Sequence, residues 1–378
     1  MTRPMRAVRS LHHDEGDRPF IVIWEVTRAC ALACRHCRAD AIPTRDGREL
    51  DTSAGRRLLD QIASFGVPRP LVVLTGGDPF ERPDLIELVA YGSSLGLSMS
   101  VSPSVTPRLT REVLAELAEA GTKAVSVSLD GATAVTHDAF RGIDGVFADT
   151  VDAMAAVRDA GLRLQINTTV TADTVREMPD VLRIVLDAGA SLWSVFSLVP
   201  TGRGSHLRQL PPGDQEDVLQ WLHDVADLVP VKTTEAAHFR RVAVQRATMG
   251  ASSPAPGSLW SWLDQRTRQV LSGIEPPRRP RRPPMDVGSG RGFVFIDHVG
   301  DVYPSGFLPL RAGSVRDQPL DVVYRTSPLL MRLRDSSALT GRCGRCEFRS
   351  VCGGSRSQAY AASGDLMGED PTCVWDPP

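Results

Sequence analysis

Three cysteines near residue 30 place the strongest constraint on how this chain folds. Cys30, Cys34 and Cys37 are spaced CX3CX2C and follow an apolar run at 20–26 that predicts a β-strand. Thiolates suit zinc and iron–sulfur clusters, and closed sites of both kinds normally take four protein ligands. The next cysteine along the chain is Cys343. The spacing therefore predicts a metal site with one open position, which chemistry at a metal requires.

Helix-like and strand-like segments alternate from this first strand to about residue 200. Helices are predicted at 51–65, 83–95, 110–120, 147–160 and 174–188, and strands at 71–74, 97–101, 125–129, 163–170 and 192–199. Repeated βα units imply a parallel sheet with right-handed crossovers. Six such units predict an open or partial barrel, in which ligands bind at the carboxyl ends of the strands.

Three of the loops at these strand ends carry polar or glycine-rich motifs. The loop after the second strand reads TGGDP, and Gly76 and Gly77 allow the backbone to approach a ligand closely. The loop after the fourth strand reads SVSLDG and is followed by HDAFRG. Its Arg141 suits a carboxylate, since a guanidinium donates two parallel hydrogen bonds, although a surface ion pair is the plainer alternative. The turn after the sixth strand reads PTGRG and offers backbone donors to a ligand.

With these motifs in this order, the chain resembles the radical S-adenosylmethionine (SAM) superfamily. In that family three thiolates hold a [4Fe–4S] cluster, and its fourth iron binds the amino and carboxylate groups of SAM. One electron cleaves SAM to a 5′-deoxyadenosyl radical, which abstracts hydrogen from the substrate. A structural zinc site or redox thiols are the alternative for the three cysteines.

The resemblance assigns a role to each motif. Catalysis depends on the cluster held by Cys30, Cys34 and Cys37. The SAM-binding residues implied by the resemblance are His36, Gly76, Gly77, Asp78, Pro79, Ser126, Ser128, Asp130 and Arg141. Asp78 stands where the family usually has glutamate.

Four further cysteines form a second set near the carboxyl terminus. They are spaced CX2CX5CX20C at Cys343, Cys346, Cys352 and Cys373, a complete ligand set for one cluster or one zinc ion. With the β-hairpin predicted at 292–304, they resemble the SPASM domain of many radical SAM enzymes, whose seven cysteines bind two auxiliary clusters. Ser305 and Ser355 stand where relatives carry ligands of the inner cluster. The resemblance therefore implies a single auxiliary [4Fe–4S] cluster.

These expectations define an α/β fold, a partial (β/α)6 TIM-like barrel followed by a SPASM- or twitch-like domain with a β-hairpin and a cysteine-rich cluster segment. The predicted divisions are an amino-terminal tail (1–19), the barrel (20–230), a helical and proline-rich linker (231–290) and the cluster domain (291–378). Inside the linker, 276–284 reads PPRRPRRPP, which predicts an extended, solvated segment rather than a site for an anionic partner.

The composition excludes several classes of protein. The net charge is −2, from 43 basic and 45 acidic residues, so no overall field favours nucleic acid. No apolar run approaches the ~20 residues of a membrane span, and the first residues lack the apolar core of a signal peptide. Seven cysteines in metal-binding spacings indicate a reducing compartment. We expect a soluble cytoplasmic metalloprotein that binds neither nucleic acid nor membrane.

The carboxyl-terminal sequence CGGSRSQAYAASGD, with EDPTC, resembles the branch of the family that removes or oxidises propionate side chains of tetrapyrroles in haem biosynthesis. The expected activity is an oxidoreductase or lyase reaction, the oxidative decarboxylation of an acidic small molecule, with the auxiliary cluster accepting the second electron. Maturation of a ribosomally made peptide is the alternative, and a non-enzymatic electron carrier is a third. The family implies ferredoxin or flavodoxin as the electron donor.

An acidic substrate requires cationic groups at the barrel mouth. The candidates are Arg203, His206, Arg208, Arg311 and Arg356. Because all seven cysteines are assigned to clusters, a proton or hydrogen donor would have to be Tyr303, Tyr360, His206 or water.

Overall fold

A computed structural model describes residues 7–11, 13–249 and 255–377 of the chain. In this part of the chain the strands are β1 (Ile21–Glu25), β2 (Leu71–Thr75), β3 (Ser98–Val101), β4 (Ala124–Ser128), β5 (Arg163–Val170), β6 (Leu192–Ser197), β7 (Val231–Thr234), β8 (Gly288–Ser289), β9 (Gly292–Ile296), β10 (Asp301–Tyr303) and β11 (Gly313–Ser314). Residues 1–6 and 12 of the predicted amino-terminal tail lie outside the described residues.

The helices alternate with the first seven strands and then gather in the carboxyl-terminal third. They are α1 (Thr52–Ala63), α2 (Leu85–Ser94), α3 (Arg111–Glu119), α4 (Ala134–Arg141), α5 (Val146–Asp159), α6 (Met178–Asp187), α7 (Pro212–Val225), α8 (Phe239–Met249), α9 (Ser258–Val270), α10 (Leu320–Thr326), α11 (Pro328–Arg334), α12 (Gly341–Arg345) and α13 (Arg356–Ser363). Among the described residues, no helix is long and apolar enough to cross a membrane.

One mostly parallel sheet runs through the whole molecule in the order β11-β10-β9-β1-β2-β3-β4-β5-β6-β7. Strands β1 to β7 pair in parallel with their neighbours, and β9 also pairs in parallel with β1, Ile21 lying opposite Phe293. Strands β9 and β10 form the predicted antiparallel hairpin. In the described chain the sheet does not close on itself, which confirms the partial barrel.

The two faces of the sheet differ in burial. Side chains alternate between faces along a strand, and one set, including Trp24, Leu74 and Trp193, is fully buried in the core. Along β2 and β5 the alternate residues are half-buried instead. This second set faces the inner side of the partial barrel.

The predicted elements agree with the structure where their end signals are strong. Helix α1 begins after Asp51, whose carboxylate accepts a hydrogen bond from the Ala54 amide at 2.7 Å. Helix α3 begins after Thr110 in the same way, at 3.3 Å from the Val113 amide.

The sequence predicts six consecutive parallel strands in the barrel, and the described chain has seven, β1 to β7, with β9 added in parallel beside β1. Strand β7 lies in the stretch predicted as a linker, together with α8 and α9. The domain divisions themselves stay a prediction.

The proline- and arginine-rich segment at 276–284 is extended, as predicted, but it is tied to the barrel. Arg278 pairs with Asp227 at 2.5 Å, and Arg281 donates to the His223 carbonyl oxygen at 3.0 Å. The arginines of this segment therefore fasten it to the end of α7.

Candidate metal and cofactor site

The first cysteine set lies in a loop that begins directly after β1. Cys30 and Cys34 are buried and Cys37 is half-buried, and none of the seven cysteines forms a disulfide. The Cys30 amide donates to the Ile42 carbonyl oxygen at 2.9 Å, which closes the loop at its base. The Leu32 amide donates to the Cys30 sulfur at 3.3 Å, so the loop directs a backbone donor at the thiol that would carry negative charge.

The double-glycine loop after β2 packs against the backbone of this cysteine loop. The Gly77 amide donates to the Thr27 carbonyl oxygen at 2.9 Å, and the Asp78 amide donates to the Ala29 carbonyl oxygen at 2.7 Å. A Cβ on Gly76 would lie 2.5 Å from the Thr27 oxygen, and a Cβ on Gly77 would overlap the Ala29 oxygen. Both positions require glycine because two backbones meet there.

Asp78 caps the short turn that begins at Pro79. Its carboxylate accepts from the Thr106 hydroxyl at 2.7 Å and from the Phe80 amide at 3.2 Å. Burial raises the pKa of Asp78 above its ordinary value. In this structure the side chain therefore stabilises the loop, and contact of the TGGDP backbone with SAM stays a prediction.

Arg141 and Asp130 form a buried ion pair beside the cysteine loop. The guanidinium lies 2.9 Å from the Asp130 carboxylate and donates to the Cys34 sulfur at 3.5 Å. The Thr169 amide also donates to Asp130, at 2.7 Å. Although burial opposes ionisation, Arg141 holds the pKa of Asp130 below its ordinary value. Arg141 is only 8% exposed, so the alternative of a surface ion pair is wrong.

His36 stacks on Phe140 with ring centroids 4.6 Å apart and planes inclined by 26°. Burial lowers the pKa of His36 to about 4, so its imidazole is neutral at pH 7. A neutral, stacked ring can present a flat face to an adenine, the role that the resemblance gives this position.

The loop after β3 contributes Ser104, which is not among the predicted site residues. Its hydroxyl lies 3.5 Å from the Cys30 sulfur and donates to the Gly77 carbonyl oxygen at 2.8 Å. Ser104 lines one small pocket together with Leu32, Ser128 and Arg141. Ser126 lies two residues before Ser128 on the same face of β4 and is buried.

Arg203 braces the cysteine loop from the turn after β6. Its guanidinium donates to the Cys34 carbonyl oxygen at 2.9 Å, and its amide donates to the Cys37 carbonyl oxygen at 3.1 Å. The preceding Gly202 has φ +53°, and a Cβ there would lie 2.6 Å from the Cys37 oxygen. The sequence predicts PTGRG as a ligand-lining turn, but it gives no signal for this packing on the cysteines. His206, three residues on, is exposed.

The other predicted substrate cations have protein partners elsewhere. Arg208 is exposed and pairs with Asp173, and Arg311 pairs with Asp301 at 2.8 Å on the surface. Arg356 is buried and donates to the carbonyl oxygen of Gly368 at 2.7 Å, far along the chain from the barrel loops. These three side chains are engaged within the fold.

The four carboxyl-terminal cysteines line one pocket. The residues that line it include the cations Arg241 and Arg342. The Asp370 amide donates to the Cys343 sulfur at 3.4 Å, and the Gly354 amide donates to the Cys352 sulfur at 3.5 Å. Burial raises the pKa of Cys352 to about 11 and that of Cys373 to about 12, so thiolates need positive charge here.

This set of donors fits an iron–sulfur cluster. Four thiols surround one space, backbone N–H groups point at sulfur, and cations flank them, which is how proteins hold such clusters. Within the described ranges, no three His, Cys, Asp or Glu side chains are grouped as for a single metal ion.

The two serines at the predicted positions of the missing inner-cluster ligands, Ser305 and Ser355, both hydrogen-bond to one carboxylate. Glu235 accepts hydrogen bonds from Ser305 at 2.7 Å and from Ser355 at 2.5 Å. Glu235 has a φ of +57°, which a non-glycine residue rarely adopts, and burial raises its pKa. Counted strictly, the family spacing CX3C from Cys352 ends at Arg356 and not at Ser355 as predicted. Arg356 occupies that position, and its guanidinium lies 3.8 Å from the Cys343 sulfur.

Comparison with known proteins gives both family and fold. The family model described as the radical SAM superfamily matches residues 24–185. The "AdoMet-dependent heme synthase" of Nitratidesulfovibrio vulgaris is 37% identical over 361 residues, covering 94% of this chain and 92% of the relative. The "Mycofactocin maturase MftC" of Mycobacterium ulcerans is 32% identical, covering 95% and 88%. The crystal structure of Streptococcus suis SuiB bound to S-adenosylmethionine has a TM-score of 0.66 at 14% identity, covering 95% and 78%.

Proposed function

This chain belongs to the radical SAM superfamily, and we propose that it is an enzyme that oxidatively decarboxylates propionate side chains of a tetrapyrrole. One observation carries the choice of substrate. The match to a protein named AdoMet-dependent heme synthase extends over 94% of this chain and 92% of that protein. A haem differs from its more acidic precursors in its side chains, so a synthase that uses SAM must alter those side chains.

The cofactors of the enzyme are a [4Fe–4S] cluster and SAM. Cys30, Cys34 and Cys37 would hold the cluster, and the carboxyl-terminal set would hold the auxiliary cluster. When bound, the cluster and SAM together supply a carbon-centred radical that can remove a hydrogen atom from an unactivated carbon. The chain's own residues then decide where SAM and substrate lie.

Arg141 is the residue we propose for the SAM carboxylate. Its guanidinium is buried next to Cys34 and pairs with Asp130 through one nitrogen, so it is fixed in orientation. A fixed guanidinium holds a carboxylate in a defined direction. Ser128 and Ser104 line the same pocket and offer hydroxyl groups to a polar ligand, while neutral His36 offers a ring face.

The overall reaction converts a propionate, –CH2–CH2–COO⁻, to a vinyl group, –CH=CH2, with release of CO2. Removal of one hydrogen atom from the carbon attached to the macrocycle breaks one C–H bond. Loss of CO2 then forms the double bond and leaves one further electron to be taken up. The pocket of the four carboxyl-terminal cysteines is the place where this chain would hold an acceptor for that electron.

The test is turnover of a porphyrin that carries propionates. Enzyme reconstituted anaerobically with iron and sulfide is incubated with SAM, a reductant and iron coproporphyrin III. We expect mass spectrometry to show loss of CO2 and two hydrogen atoms per side chain, together with 5′-deoxyadenosine. The Cys30/Cys34/Cys37→Ala triple variant is the control without the SAM-binding cluster. Formation of 5′-deoxyadenosine with no change in porphyrin mass would contradict the tetrapyrrole substrate.

A peptide is the second candidate substrate, because the mycofactocin maturase is 32% identical over nearly its whole length. A maturase would modify a short precursor peptide and would bind no porphyrin. Equilibrium dialysis of the enzyme against iron coproporphyrin III, read by Soret absorbance, separates the two candidates before any turnover is measured.

The electron donor and the compartment complete the proposal. We propose ferredoxin or flavodoxin as the donor, since the reaction starts with a single electron at low potential. We propose the cytoplasm as the location, because seven free thiols that bind iron require a reducing compartment.

A further inference from the structure

A row of polar side chains crosses the inner face of the sheet. Ser128 on β4 lies opposite Asn167 on β5, Asn167 lies opposite Ser194 on β6, and Ser194 lies opposite Lys232 on β7. Side chains in register on parallel strands point to the same face. We call these four residues the inner row. It begins at the pocket that Ser128 shares with Arg141 and ends at a lysine.

Lys232 points to the inner face of the barrel. Its neighbour Val231 is buried and lies opposite Trp193, which packs on Trp221 of α7 on the helical face. Alternation along β7 therefore places Lys232 on the opposite, concave face. The side chain is half-buried there, so the ammonium group can be reached from the barrel interior.

No partner for this ammonium group is found among the described residues. It makes no hydrogen bond and no ion pair with them, and burial is the sole cause that lowers the pKa of Lys232. The nearest carboxylates in sequence or across the sheet have other partners. Glu235 accepts from Ser305 and Ser355, and Asp227 pairs with Arg278 at 2.5 Å. A partly desolvated cation without a counter-ion is unfavourable, and the binding of an anion stabilises it.

The choice of lysine is unusual for this chain. Of its 43 Lys and Arg residues, only Lys123 and Lys232 are lysine. Lysine presents a compact point charge where arginine would present a wide planar group. A single carboxylate at the end of a flexible propionate is a suitable partner for a point charge.

Aromatic rings lie beside the inner row. Phe196 follows Ser194 by two residues on the same face of β6, and its ring centroid lies 6.2 Å from that of Phe307. Sites for small molecules combine such apolar surfaces with a few fixed polar groups, so these rings suit a flat macrocycle and Lys232 suits one of its carboxylates.

We propose that Lys232 binds a substrate propionate other than the one that reacts. This inference rests on the proposed function. The inner row crosses three gaps between strands, roughly 14 Å at about 4.8 Å per gap. The reacting side chain must lie at the SAM end of the row, so a carboxylate bound by Lys232 belongs to another side chain of the same substrate. Lys232 is thus a positioning residue that sets which propionate reaches the SAM site.

The test compares binding of a free acid with binding of its ester. Wild type, Lys232→Met, Lys232→Arg and Lys123→Met are reconstituted anaerobically and dialysed against iron coproporphyrin III or its tetramethyl ester. We expect wild type to prefer the acid, and Lys232→Met to lose about 10- to 100-fold in affinity for the acid alone. Lys232→Arg should keep more of the preference than Lys232→Met. Lys123 is exposed, so Lys123→Met is the matched control and should behave as wild type.

The outcomes separate the inference from the proposed function. Equal preference for the acid in wild type and in Lys232→Met, at equal iron content, would overturn the role of Lys232 and leave the tetrapyrrole substrate standing. A wild type that binds neither porphyrin would overturn the proposed function, and the inference with it. Turnover adds a second readout, because loss of positioning should change the ratio of the mono-vinyl isomers formed from iron coproporphyrin III in Lys232→Met, which a general loss of stability would not do.

Discussion

At the scale of single residues, backbone N–H groups or an arginine guanidinium lie against the sulfur atoms of four of the ligand cysteines, Cys30, Cys34, Cys343 and Cys352. The cysteines, the two glycines and the Asp130–Arg141 loop are predictable from sequence, because each has a residue type that few other roles require. Ser104 and the bracing by Arg203 are not, since serine and arginine occur throughout the chain and only tertiary contact distinguishes these two. The sequence predicts Ser355 at the position of a missing cluster ligand, but the CX3C spacing counted from Cys352 places that position one residue later, at Arg356.

Gly77 gives a sharp prediction at this scale. A Cβ at Gly77 would overlap the Ala29 carbonyl oxygen, and the backbone on both sides is fixed by hydrogen bonds. We expect Gly77→Ala to displace the cysteine loop and to lower reconstituted iron from roughly eight to about four atoms per chain. A Cβ on Gly47 would have nothing within 4 Å, so Gly47→Ala is the matched control and should keep its iron. Full iron loading of Gly77→Ala would contradict the close packing of these two loops.

Arg141 gives a second prediction. We expect Arg141→Met to weaken SAM binding by about 10- to 100-fold, since a charge-assisted, fixed hydrogen-bond pair contributes about 1.5–3 kcal/mol. Arg111 pairs with Asp159 on the surface, where both side chains are more than half exposed, so Arg111→Met should bind SAM as wild type does. Isothermal titration of SAM into the reconstituted enzyme measures both. Unchanged affinity in Arg141→Met would remove this residue from the SAM site.

At the scale of elements, the regular βα units were predictable and the short or strongly tertiary ones were not. Helix α4 has eight residues, and strand β7 has four, between Pro230 and Glu235. Such short segments carry too few apolar positions to establish a period. Thr133 and Gly142, at the two ends of α4, are ordinary cap residues that could have revealed that helix.

Glu235 directly follows β7 and connects it to Ser305 after β10 and to Ser355 before α13. The protonation of its carboxyl group gives a third prediction. Burial raises its pKa in the folded protein, so the folded state holds a proton that the unfolded state releases above pH 4.5. Stability from this group is therefore complete at low pH and is lost as the pH rises through the folded-state pKa. Glu235→Gln keeps the shape and removes the charge, so its unfolding free energy should fall less than that of wild type between pH 5 and 8. Glu116→Gln on the exposed face of α3 is the control for urea unfolding, and an identical pH profile in wild type and Glu235→Gln would refute the prediction.

At the scale of the whole molecule, the buried side chain of Arg240 helps to fasten the carboxyl-terminal cysteine pocket to the rest of the fold. Arg240 of α8 donates to the Val351 carbonyl oxygen at 2.6 Å, to the Cys352 oxygen at 2.8 Å and to the Val287 oxygen at 2.7 Å. Removing the guanidinium would leave three carbonyl groups without this donor. A buried carbonyl group that loses its donor costs about 1–3 kcal/mol of stability.

We therefore expect Arg240→Met to lose the auxiliary cluster and keep the first one. Iron should fall to about four atoms per chain, while reductive cleavage of SAM without substrate continues. The Cys30/Cys34/Cys37→Ala triple variant should give the same iron count with no SAM cleavage, which distinguishes the two losses. A variant Arg240→Met with full iron would show that the pocket does not depend on this contact.

The order of the strands in the sheet has a consequence for synthesis of the chain. Strand β1, which leads into the first cysteine loop, lies between β2 and β9, so one of its two neighbours is made only after residue 290. Until then a ribosome-bound chain presents the open edge of β1 next to the thiols, and an open strand edge is a site for wrong pairing. If iron were loaded before the chain leaves the ribosome, the cluster would form while β1 still lacks its neighbour β9. A chain truncated after the last βα unit would keep the edge of β1 open permanently. The sheet around the first cysteine loop is therefore completed only when the carboxyl-terminal strand β9 pairs with β1.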